Sequence, residues 1–193
     1  MSLPIDETLA VVRGQRGPAA AWAAIIHLCR EAHADAPWDS LPPMDFQRDI
    51  LAATEWLRSQ LAADPKAVGL YLGLDTLNMD EGDGKNVEFG ATADCDATQE
   101  SSAWLWSANL THGEDHLIYG LYELHRVYQS PPWEDAFDLC DYIFFLGYSG
   151  IVLAGAFEHL QTERTLLPAW GFHDGDMFTL GRLEGGAFTR ICK

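Results

Sequence analysis

Tyr142-Ile-Phe-Phe-Leu-Gly-Tyr-Ser-Gly-Ile-Val-Leu-Ala-Gly-Ala-Phe157 carries no formal charge, and Asp141 and Glu158 bound it. A helix that is apolar on every side has no face suited to water, so it must be enclosed by protein or lipid. The run is shorter than the roughly 18 residues that suggest a membrane span, and Asp135, Asp138 and Asp141 stand just before it. It reads as the central helix of a protein core. Ser130 is placed to act as N-cap, Pro131 lies in the first turn where no amide hydrogen is needed, and Glu134 and Asp135 sit near the positive end of the dipole. The helix is therefore expected from about Pro132 to about Leu160. Gly147, Gly150 and Gly155 each weaken it by roughly 1 kcal/mol relative to alanine while allowing another backbone to come close. A kink near Gly147 to Gly150, or two shorter helices, is the alternative reading.

Upstream, Leu9 to Val12 is a short apolar piece before the breaker run Gly14-Gln-Arg-Gly-Pro18. Trp22, Ile25, Ile26, Cys29 and Ala32 then recur at helical spacing, which predicts a helix from about Pro18 to Ala34. Phe46, Ile50, Leu57 and Leu61 predict a second, from about Pro43 to Ala63, ended by Asp64-Pro65. The periodicity changes at Val68 to Leu74 and Asn86 to Thr92, which read as strands of a hairpin joined by the acidic loop Asp80-Glu-Gly-Asp-Gly-Lys85. Trp104-Leu-Trp106 reads as a third strand. Thr111 and Glu114 have capping-box spacing, so a helix is expected to start at Thr111 and continue through Leu117, Leu121, Leu124 and Tyr128. Beyond the central helix, Trp170 to Phe172, Met177 to Leu180 and Phe188 to Cys192 form an expected antiparallel meander, turning at His173 to Asp176 and Glu184 to Gly186.

Helices and strands do not alternate singly, which argues against a doubly wound parallel sheet. The expected fold is α+β: one globular domain over residues 1–193, with a mostly antiparallel sheet of about five or six strands packed with about four helices.

Twelve Lys and Arg stand against 29 Asp and Glu, a net charge of −17, which disfavours nucleic acid or an anionic membrane as the main partner. Residues 68 to 141 hold two basic and fifteen acidic side chains, so this middle third carries −13 of the total. Cys29, Cys95, Cys140 and Cys192 are scattered without a C-x-x-C pair and are expected as reduced, mostly buried thiols. The first residues lack the basic and apolar regions of a signal peptide, which together with the thiols suggests a cytoplasmic location.

Searches for chemistry mostly fail at the residue that would perform it. His112-Gly-Glu-Asp-His116 would place two histidines on one helix face, but Gly113 stands where a zinc protease needs its glutamate. Gly147-Tyr-Ser-Gly150 departs from the nucleophile elbow in glycine spacing and lies in a helical pattern, so Ser149 reads as a helix-bonded hydroxyl. Between Asp75 and Glu88 no frame satisfies a calcium loop. There is no Walker A sequence and no G-x-G-x-x-G, so no cofactor is expected. Trp104, Trp106, Trp133 and Trp170 are expected mainly in the core, with Trp133, beside Glu134 and Asp135, the least clearly buried.

Two function classes follow. One is a binding module, of the kind small inhibitors and immunity-type proteins represent, using Asp80, Glu81, Asp83 and Trp133 to engage a basic protein partner. The other is an enzyme with a dispersed site built from His112, His116 and Asp174 or Asp176, with a metal-dependent hydrolase as one form. Self-association as a homodimer is left open.

Overall fold

A computed structural model describes residues 3–14, 16–75, 86–96, 98, 101–131, 133 and 139–191. Five α-helices are present among them: α1 (Ile5–Arg13), α2 (Pro18–Ala32), α3 (Phe46–Ala63), α4 (Tyr119–Tyr128) and α5 (Phe145–His159). The strands are β1 (Gly69–Leu74), β2 (Val87–Thr92), β3 (Thr111–His112), β4 (Leu167–Phe172), β5 (Met177–Thr179), β6 (Gly181–Glu184) and β7 (Ala187–Arg190). The first five form one mixed sheet in the order β3-β2-β1-β4-β5, and β6 and β7 form a separate hairpin. The α+β class is thus the observed one. No helix among the described residues is long and apolar enough to cross a membrane.

The apolar run does form the central helix. Every residue of α5 from Phe145 to Phe157 is buried, with α1, α2 and α3 packed against it. A Cβ on Gly150 would stand 2.8 Å from Val12 Cγ1 and 2.9 Å from Trp170 Cζ2, so this glycine lets α1 and the sheet close on α5 from two sides. The helix runs unbroken through Gly147 and Gly150, and the irregularity lies upstream, in a π-helical stretch at Leu139–Phe144.

Alternation divides the sheet cleanly. Leu70, Leu72 and Leu74 share the inner face with Phe89 and Trp170, whose indole N–H donates to Leu146 O at 3.3 Å. Gly69, Tyr71 and Gly73 face outward with Glu88, Gly90 and Gly171.

Two expectations are corrected. Trp104-Leu-Trp106 is not a strand but part of a 3₁₀ turn, Ser102–Ser107; it lays Trp104 over Gly69 on the outer face, and Ser102 Oγ donates to Met177 O of β5 at 2.6 Å. Thr111 starts no helix. Residues 111–116 instead pair with the outer edge of β2, and Gln60 Oε1 and Trp56 Nε1 take the backbone N–H and C=O of Glu114 at 3.0 and 2.7 Å. The helix begins at Tyr119, where an amide of its first turn, Gly120 N–H, donates to the Asp49 carboxylate of α3 at 2.8 Å. A buried anion from another helix replaces the local cap. The sheet is mostly antiparallel, as expected; β1 and β4 pair in parallel, which no local signal in either strand announces.

Candidate binding surface

Parallel pairing brings the C-terminal ends of β1 and β4 to one end of the sheet, where β2 also begins. Asp75 N–H donates to Asn86 O at 3.2 Å, so the connection 76–85 leaves and re-enters here, and His173 N–H donates to Leu74 O at 3.2 Å. Four carboxylates gather around this end: Asp75 is buried, Glu88 half-buried, and Asp174 and Asp176 exposed on the β4–β5 turn. No Lys or Arg pairs with Glu88, Asp174 or Asp176 among the described residues.

Two half-buried tyrosines bond to acids of this end, Tyr71 on the outer face of the sheet and Tyr142 against inner-face Phe172. Tyr71 lies along its own strand over Gly73, where a Cβ would stand 2.1 Å from the phenol oxygen, so the bare glycine makes room for the ring. Its hydroxyl donates to Glu88 Oε2 at 3.4 Å. Tyr142 stacks on Phe172, centroids 4.6 Å apart, and its hydroxyl donates to Asp176 Oδ2 at 3.3 Å. Hydroxyl–carboxylate bonds usually measure about 2.5–2.7 Å. Both are therefore weak, and the carboxylates keep most of their capacity to accept from an incoming cation. Burial, then the negative charge of Glu88, Asp174 and Asp75, holds the Tyr71 phenol well above its usual range. Burial and then Asp176 push Tyr142 up to about 12. Both stay neutral donors at pH 7.

Asp80, Glu81 and Asp83 lie outside the described residues. Trp133 is fully buried, contrary to the expectation that it is the least enclosed tryptophan. Trp38 and Phe144 meet it edge-on at 5.4 and 6.1 Å, and its indole N–H donates to Ser40 Oγ at 2.9 Å, so in this structure it has no surface to offer a partner. Burial in the aromatic cluster at the entrance to α5 outweighs the pull of its acidic neighbours toward solvent.

The histidine pair is not on a helix. His112 belongs to β3, while His116 stacks on Trp56 at 4.8 Å, and β2 and β1 lie between them and β4, whose following turn carries Asp174 and Asp176. Among the described residues no group of three or more His, Cys, Asp or Glu is placed to hold a metal. Ser149 is buried, and its hydroxyl donates to Leu146 O at 3.2 Å within the helix. Cys29 is a buried free thiol whose pKa burial pushes up to about 12; Cys95 is a free, half-buried one.

Sequence reasoning found the acidity of the middle third but not its joining to Asp174 and Asp176, since only the parallel register makes them neighbours. It also missed Asp49. That carboxylate is buried and accepts from Arg48 Nε at 2.8 Å, Gly120 N–H at 2.8 Å and Tyr148 OH at 2.9 Å. A signal was available: Asp49 falls three residues after Phe46 and four before Ala53, inside the apolar stripe of α3.

No protein-family model matches the chain, and comparison with curated proteins and with solved structures gives no match.

Proposed function

We propose that this protein is a binding module that presents the acidic end of its sheet to a basic protein partner, the mode of action of inhibitor and immunity-type proteins. The supporting observation is that two tyrosine–carboxylate pairs, Tyr71 with Glu88 and Tyr142 with Asp176, lie with Asp174 at the end of the sheet from which β1 and β4 leave. Carboxylates beside aromatic rings suit Arg and Lys side chains, which gain an ion pair and a ring-face contact together. The middle third's excess of thirteen negative charges would raise the rate of encounter.

The test compares charge reversals at two places. Asp174→Lys with Asp176→Lys changes the net charge by the same amount as Asp6→Lys with Glu7→Lys on exposed α1. With an oligoarginine peptide as probe, the sheet-end pair should slow association several-fold more than the helix pair, and the difference should shrink as salt rises past ~0.15 M. Equal effects of the two pairs would show that net charge alone attracts the peptide and would sink the assignment.

A further inference from the structure

We propose that residues 113–118 form an acid-released cover over the outer edge of β2, with His116 as its latch. The outward-facing backbone groups of the first half of β2 are satisfied by this segment: Val87 N–H donates to His116 O at 3.0 Å, His116 N–H donates to Val87 O at 2.8 Å, and Gly113 N–H donates to Phe89 O at 3.2 Å. Asn86 bonds both backbone groups of Ile118 through its side-chain amide, at 2.9 and 3.0 Å. On the other side the segment is held to α3 by the Gln60 and Trp56 bonds to Glu114.

The latch is the imidazole. It stacks on Trp56 with an interplanar angle of 15°, and its buried Nε2 has no hydrogen-bond partner among the described residues. A neutral ring with an unprotonated Nε2 tolerates this. A protonated one would bury a cationic N–H with no acceptor, at a cost the uncovered state does not bear.

The charges around it relieve burial only in part. On α3 the nearest influence is Asp49, already engaged by Arg48, Gly120 and Tyr148. Glu88 of β2 is on the opposite face with Tyr71, Glu123 of α4 is paired with Arg48, and Glu114 and Asp115 of the segment itself are exposed. Burial accordingly depresses His116 from 6.5 to about 4 despite Asp49. The sign follows directly: the covered state binds fewer protons than the uncovered one, so cover stability is complete above about pH 6.5 and falls as pH drops toward 4. Over that window the open-to-closed ratio should rise on the order of 100-fold. Once open, Val87 and Phe89 would present an unpaired strand edge, the kind of surface that accepts an added strand.

Amide hydrogen exchange on the whole chain tests this, after correction for the intrinsic pH dependence of exchange. Between pH 7 and pH 4, Gly113, Glu114, His116 and Ile118 should lose on the order of 100-fold in protection while Leu70 and Leu72 of β1 keep theirs. His116→Phe keeps a ring on Trp56 but cannot take a proton, and it should abolish the selective loss; His116→Gln serves if the phenylalanine variant does not fold. Loss of protection in segment and β1 together, or a selective loss that persists in the variant, would overturn the proposal. So would a wild-type His116 ring titration near 6.5 by NMR, whatever the variants do.

Discussion

Replacing Asp49 by alanine should be among the most damaging substitutions in this protein, although the residue touches no proposed surface. Its carboxylate joins three helices: Arg48 from α3, the Gly120 amide at the start of α4, and the Tyr148 hydroxyl of α5. Removing it leaves two buried donors, the Gly120 N–H and the Tyr148 hydroxyl, without an acceptor. Each orphaned group costs about 1–3 kcal/mol, so Asp49→Ala should lose about 2–6 kcal/mol. That is a large part of the roughly 5–15 kcal/mol a domain holds. Arg48 adds little to the loss, because its side chain is 36% exposed and keeps Glu123 at 3.3 Å. Tyr148→Phe removes the hydroxyl with its need for an acceptor and should cost only about 1 kcal/mol. In the double variant the hydroxyl is no longer orphaned. Its loss should therefore fall short of the sum of the single losses by about 1–3 kcal/mol. Urea unfolding of the four proteins measures this cycle. Additive losses, or an Asp49→Ala loss below about 1 kcal/mol, would refute the account of a buried acceptor binding the helices together.

The remaining predictions test the core and the thiols. Phe145→Ala, at a fully buried position on α5, should cost about 3–5 kcal/mol in urea unfolding, and a loss under about 1 kcal/mol would contradict the central role of that helix. Gly150→Ala should destabilise more than Gly147→Ala despite the same gain in helix propensity of roughly 1 kcal/mol, because the new methyl meets the Trp170 ring and Val12 in one case and the movable end of Ile25 in the other. Under native conditions a thiol reagent should modify Cys95 well before Cys29, as peptide mapping would show, since burial keeps Cys29 protonated.

What the sequence made legible was whatever a single segment decides. Sixteen uncharged residues bounded by acids have one solution in water, and α5 adopts it. The stripes Trp22, Ile25, Cys29 and Ile50, Leu57, Leu61 become the buried faces of α2 and α3. Misreadings arise where a local preference meets a stronger partner far away in the chain. Thr111 and Glu114 have the spacing of a capping box, but the open edge of β2 and the side chains of Trp56 and Gln60 offer this segment more bonds than a cap would. Trp133 illustrates the same limit, because nothing adjacent to it reveals that Trp38 and Phe144 enclose it.

The acidic surface exists because of one pairing that neither strand encodes alone. Gly69 lies opposite Leu167 and Leu74 opposite Phe172, so β1 and β4 run the same way and leave the sheet together. Had β4 run the other way, the turn carrying Asp174 and Asp176 would stand beside Gly69, about 20 Å from Asp75 at ~3.3 Å per residue, beyond a Debye length of about 8 Å at physiological salt. The two acidic connections would then act as separate, screened charges. In the observed register the charges of Asp174 and Asp75 both add to that of Glu88 in holding the Tyr71 phenol above its usual range.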